Sequence, residues 1–101
     1  MHIDPADLPF TVSQIDRARF YNSKPNAYGT RRLYVDVRLG VRNANRLGTI
    51  FGGVIPRPCG GRWRVRIGGT RAEAILAEVM PHLSLATRER AEAALSLVGG
   101  K

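Results

Sequence analysis

Few of the side chains that do covalent or metal chemistry occur in this sequence. Cys59 is the single cysteine, and His2 and His82 are the only histidines. One thiol cannot close an intramolecular disulfide, and the spacing of these three residues matches no zinc site. Arg57 and Arg62 near Cys59 would favour its thiolate, but no base stands beside it in sequence. His82 follows Pro81 without an acidic or nucleophilic companion, which favours a structural role. Asp4 and Asp7 are the carboxylates nearest the start. Read locally, Asp4 caps one turn with Pro5 at its first position, and Asp7 lies in that turn, where negative charge is favourable.

What the chain holds in quantity is arginine, whose planar fork makes bidentate contacts to phosphate and to guanine edges. Fourteen of the 16 cations are Arg, and the net charge is +8 over 101 residues. A GC-rich genome would enrich arginine too, but would not cluster it. Residues 1–30 carry Arg17, Arg19 and Lys24 against Asp4, Asp7 and Asp16, and residues 67–101 balance four cations against four glutamates. The whole excess lies between Arg31 and Arg66, where nine arginines face one acid, Asp36. A basic patch of this kind points to a polyanionic partner.

The elements that must position these arginines follow from periodicity. Leu33, Val35, Val37 and Leu39 alternate with Arg32, Tyr34, Asp36 and Arg38, which predicts a half-buried strand. Trp63, Val65 and Ile67 alternate with Arg62, Arg64 and Arg66 between Gly60-Gly61 and Gly68-Gly69, predicting a second strand with one apolar and one arginine face. The phase of Trp63 places it in the core rather than on a base-stacking surface. Residues 10–20 and 53–58 are weaker strand candidates, the latter restricted to an edge by its prolines. Gly60-Gly61 predicts a hairpin turn, and Tyr21 to Thr30 the loop of a longer hairpin. A helix capped by Asn43 and ended by Gly52-Gly53 is expected between the hairpins. Thr70 and Glu73 fit a capping box for a helix ending at Pro81, and Thr87 starts a last helix that frays at Gly99-Gly100-Lys101.

The expected fold is therefore a single α+β domain over 1–101, with a four-stranded antiparallel sheet in the order ββαββαα and helices on one face. Arg32, Tyr34, Arg38, Arg62, Arg64 and Arg66 would share the other face, and Thr11, Ser13, Gln14, Arg17 and Arg19 would extend it along the first strand. Asp36 would hold a neighbouring arginine or accept from cytosine N4. No apolar run is long enough for a membrane span and no signal-peptide pattern stands at the start, which points to a soluble, cytoplasmic protein.

From Tyr34 to Leu95 the sequence resembles small bacterial and phage LAGLIDADG homing endonucleases. The likeness rests on the strand Val-Asp-Val-Arg-Leu, the helix ending Phe51-Gly-Gly, the strand Gly-Arg-Trp-Arg-Val-Arg-Ile, Gly69-Thr-Arg-Ala, and Met80-Pro-His-Leu before a charged last helix. The resemblance implies a saddle-shaped sheet lying on double-stranded DNA and a homodimer formed through the helix that names the family. An acid at the end of that helix would bind Mg²⁺. If Phe10-Thr-Val matches the strand after the naming helix, Asp7 falls on the catalytic acid, with Asp4 as a second candidate ligand, and Pro5-Ala-Asp-Leu replaces the motif's Asp-Ala-Asp-Gly. In that register most of the helix is missing, and Pro5 would sit in a helix interior at a cost of about 3 kcal/mol. The expectation is duplex-DNA binding with little or no nuclease activity, and no cofactor unless Mg²⁺ serves catalysis. The other readings are an active Mg²⁺-dependent endonuclease half, an RNA-binding maturase-like protein, and a module whose arginine patch docks an acidic protein.

Overall fold

The computed structural model describes residues 2–98. Four helices, α1 (Leu8–Ile15), α2 (Val41–Ile50), α3 (Thr70–Val79) and α4 (Leu85–Leu95), accompany four strands, β1 (Arg19–Asn22), β2 (Leu33–Leu39), β3 (Arg57–Cys59) and β4 (Arg62–Gly68). The strands form one antiparallel sheet in the order β1-β2-β4-β3, so the long central strands β2 and β4 pair with each other and each hairpin adds its short partner outside. This is the α+β arrangement read from the sequence, preceded by one helix that was not.

The core lies between the sheet and the helices. Leu33, Val35, Val37 and Leu39 from β2 meet Val65 and Ile67 from β4, beneath Leu47 and Phe51 from the α2 region, Ile75, Leu76 and Val79 from α3, and Ala91 and Ala94 from α4. Trp63 packs against this cluster half-buried, in the phase that its alternation predicts. Gly60 and Gly61 turn the β3–β4 hairpin with φ of 55° and 81°, a conformation that glycine adopts without steric cost.

Several local expectations are corrected. Residues 8–15 form α1 instead of opening a strand over 10–20; only Arg19–Asn22 is extended. Thr11 and Val12 mimic strand alternation, but Thr11, Gln14 and Ile15 are buried together at helical spacing, and the Thr11 hydroxyl donates to the Asp7 carbonyl at 2.8 Å. Thr11 and Gln14 therefore pack inward and do not extend the arginine face. Tyr21 and Asn22 belong to β1, not to the following loop.

The helix boundaries also shift. Extended Gly40, not Asn43, stands at the start of α2. Gly69, with φ of 68°, is the N-cap of α3, so Thr70 is its first helical residue and no side-chain cap bond forms. The start of α4 is Ser84, whose hydroxyl accepts from the Thr87 N–H at 3.3 Å. Thr87 is instead buried inside the helix and donates to the Asp16 carbonyl, tying α4 to the end of α1. The expected fraying of residues 99–101 lies outside the described residues. Among the described residues, no helix is long and apolar enough to cross a membrane.

Candidate nucleic-acid interface

Because side chains alternate across a strand, burying the odd-numbered residues of β2 and β4 sends the even-numbered ones to the uncovered face. The register aligns them in cross-strand rows. Arg38 of β2 stands opposite Arg64 of β4, which stands opposite Arg57 of β3. Three guanidinium-bearing residues are thus direct neighbours across three strands. Like charges placed opposite one another destabilise a sheet, and no carboxylate joins that row. Arg62, opposite Cys59, extends the row's end of the face. Arg32 continues the alternation beyond β2, and its guanidinium packs beside Gly69, where a Cβ would meet Nη2 at 2.9 Å.

The next row holds the single acid. Asp36 lies between Arg19 of β1 and Arg66 of β4. It is 5% exposed, and its Oδ1 is buried without a hydrogen-bond partner. The expected ion pair between Asp36 and an arginine is not formed: the one ion pair among the described residues joins Arg46 to Asp7 at 3.3 Å. Arg66 turns to the following row instead. There Tyr21 and Tyr34 stack with ring centroids 5.3 Å apart and planes 21° apart. The Arg66 guanidinium lies 5.3 Å from the Tyr34 ring centre and donates to the Tyr21 hydroxyl at 3.4 Å. That hydrogen bond, followed by the neighbouring Tyr21, Tyr34 and Asp36 groups, raises the Arg66 pKa above the ordinary arginine value. Gly68 makes the arrangement possible, because a Cβ there would meet the Tyr34 ring at 2.5 Å.

Of the residues expected on this face, the structure gathers Arg32, Tyr34, Arg38, Arg62, Arg64, Arg66 and Arg19. Arg17 is exposed between α1 and β1, outside any strand. Two members were missed. Arg57 was hidden by Pro56 and Pro58, although β3 alternates Arg57 and Cys59 about Pro58; Tyr21 was assigned to a loop. The arginines on the helices behave differently. Arg46 covers the Phe10 ring at 4.0 Å. Arg90 donates to the Ala18 carbonyl at 3.0 Å and lies over Phe20, and Arg88 donates to the Leu83 carbonyl at 3.2 Å. These guanidiniums tie elements together.

The candidate metal ligands are dispersed. Asp4 accepts from the Ala6 N–H at 2.8 Å, which makes it the cap of the turn read from the sequence. Asp7 precedes α1 and pairs with Arg46. The acid at the far end of that helix is Asp16, whose carboxylate accepts from the Ser84 N–H at 3.1 Å. Among the described residues, no three His, Cys, Asp or Glu side chains converge to hold a metal ion. Compared with known proteins, the sequence matches no family model and no curated protein.

Proposed function

We propose that this chain binds double-stranded DNA through the uncovered face of its sheet and cuts it little or not at all. The observation that carries the reading is the row Arg57–Arg64–Arg38, like charges in direct register without a carboxylate, flanked by Arg19, Arg32, Arg62 and Arg66. A polyanion offsets that repulsion, and the arginine fork suits both phosphates and guanine edges. The tyrosines favour a duplex over an unpaired strand. Stacking platforms offer open aromatic faces to bases, whereas Tyr21 and Tyr34 are turned to each other and to Arg66.

The resemblance to LAGLIDADG endonucleases implies the same duplex-DNA reading. Since α1 precedes the first hairpin, the residues closing it and entering β1 are Asp16-Arg17-Ala18-Arg19. The acid at that end, Asp16, accepts from the Ser84 N–H, and among the described residues it belongs to no cluster of three metal-ligating side chains. Asp7 stands at the opposite end of the helix. Cleavage by metals that contact both the attacking and the leaving oxygen then lacks a cluster of carboxylates to hold them among the described residues, and Mg²⁺ has no role in binding. A homodimer, the arrangement the resemblance implies, would present two such faces to one duplex.

The test is a binding competition. Labelled duplex DNA held by the protein should be displaced by unlabelled duplex, and far less by single-stranded RNA or an acidic polypeptide at equal charge. Preferential displacement by RNA would favour the maturase-like reading, and by polypeptide the protein-docking one. Sedimentation with and without duplex reads the dimer.

A further inference from the structure

At the β3 side of the uncovered face, the segment between α2 and β3 and the arginines of β3 and β4 enclose a cleft of about 320 Å³, lined by Gly53, Val54, Ile55, Arg57, Arg64 and Arg66. Its two sides differ in chemistry. Arginines make one: Arg57 and Arg64 stand in register, and Arg66 rises from the same face two residues along β4 with its guanidinium turned away to Tyr21 and Tyr34. The other side is apolar, half-buried Val54 beside Ile55, which is 81% exposed. No carboxylate lines the cleft. Gly53 leaves its rim open, since nothing lies within 4 Å of where its Cβ would be. The N–H groups of Gly53 and Val54 both donate to the Gly48 carbonyl at 2.9 Å and so are engaged within the fold.

We propose that this cleft seats a phosphate ester, with the phosphate on Arg57 and Arg64 and the attached sugar against Val54 and Ile55. A phosphate with oxygens on several sides matches two forked cations better than a single carboxylate does, and the volume is at the lower end of that for small-molecule sites. The inference deepens the nucleic-acid reading. The ester is either a backbone phosphodiester of the bound strand or the monoester of a free nucleotide, two sources that share anionic phosphate oxygens and an attached sugar.

Amide NMR on the full chain, titrated separately with inorganic phosphate, AMP and a short DNA duplex, distinguishes them. AMP should shift the amides of residues 53–57 and 64–66 saturably, and bind more tightly than inorganic phosphate because of its sugar. Arg57→Gln removes an exposed edge residue and relieves a like-charge pair, so the fold should be retained. It should weaken AMP about tenfold, the loss of a charge-assisted hydrogen bond, while Arg19→Gln on the opposite edge strand leaves AMP binding unchanged. Ile55→Ser should reduce the preference for AMP over phosphate. If the strand is the source, Arg57→Gln should also make the salt dependence of duplex binding shallower by about one unit. AMP binding without duplex binding would keep the cleft as a nucleotide site and overturn the sheet reading. Duplex binding in which cleft amides respond to no phosphate, and Arg57→Gln changes nothing, would overturn the cleft alone. AMP shifts spread evenly over all the arginines, or equal losses from Arg57→Gln and Arg19→Gln, would also overturn it, as would binding of neither ligand, which overturns both readings.

Discussion

The arginines of this chain divide by what their guanidiniums touch. Arg46, Arg88 and Arg90 have carboxylate, carbonyl or aromatic partners within the fold, so replacing them removes structural contacts. Arg90→Ala should lower stability by about 1–3 kcal/mol, read by denaturant melts, since it frees the buried-side Ala18 carbonyl from its charged donor. Arg66 is exposed but tethered, which suits a base-reading role, because an arginine held in place loses less freedom on forming two parallel bonds to guanine. Tyr21→Phe keeps the ring and removes the hydroxyl that accepts from Arg66. It should leave stability within about 0.5 kcal/mol, as near-surface changes do, and reduce discrimination between a preferred and a scrambled duplex. Equal discrimination in wild type and variant would show that the tether sets no specificity. Asp7→Asn should lose only the exposed pair with Arg46, worth at most about 1 kcal/mol, and leave DNA binding unchanged. Strong Mg²⁺-dependent cleavage that disappears on this substitution would instead restore Asp7 as a metal ligand.

At the scale of the elements, periodicity exposed what repeats and hid what is short. The central strands were legible because β2 and β4 each alternate apolar and polar residues through seven positions, and that phase alone fixed which arginines share a face. The edge strands span only four and three residues, too few to establish a period, and prolines interrupt β3; hence Tyr21 and Arg57 were not seen as members of the site. Helix α1 was misread because an eight-residue element with Thr11 and Val12 imitates a strand. Its helical burial is decided by tertiary contacts, which local propensity does not encode. The same misreading placed Asp7 directly before a strand, whereas it precedes α1.

Helix α2 offers a test in which local propensity and packing give opposite signs. Gly48 lies inside the helix, where alanine is ordinarily better by about 1 kcal/mol. A Cβ at this position would collide with the Val54 carbonyl, a backbone atom that cannot swing away as a side chain does. Gly48→Ala should therefore destabilise by about 1–3 kcal/mol, read by chemical denaturation. A more stable variant would mean that the α2–β3 segment yields easily and does not hold one side of the cleft.

For the whole molecule, the charge is separated by layer. Helices cover one face of the sheet, with Arg46, Arg88 and Arg90 engaged in contacts within the fold, while the other face carries Arg19, Arg32, Arg38, Arg57, Arg62, Arg64 and Arg66 around a single buried acid. Such a one-sided field steers a polyanion to one face and makes its binding depend on salt. The direct measurement is the salt dependence of duplex-DNA affinity for the wild type and for single alanine substitutions on both sides. Log K should fall with log salt at about −0.9 per phosphate contact. Arg38→Ala, Arg57→Ala and Arg64→Ala should each make that slope shallower by up to about one unit, whereas Arg42→Ala and Arg71→Ala, exposed positions on α2 and α3, should leave it unchanged. Equal changes from the helix and the sheet substitutions would contradict the assignment of the uncovered sheet face as the DNA-binding surface.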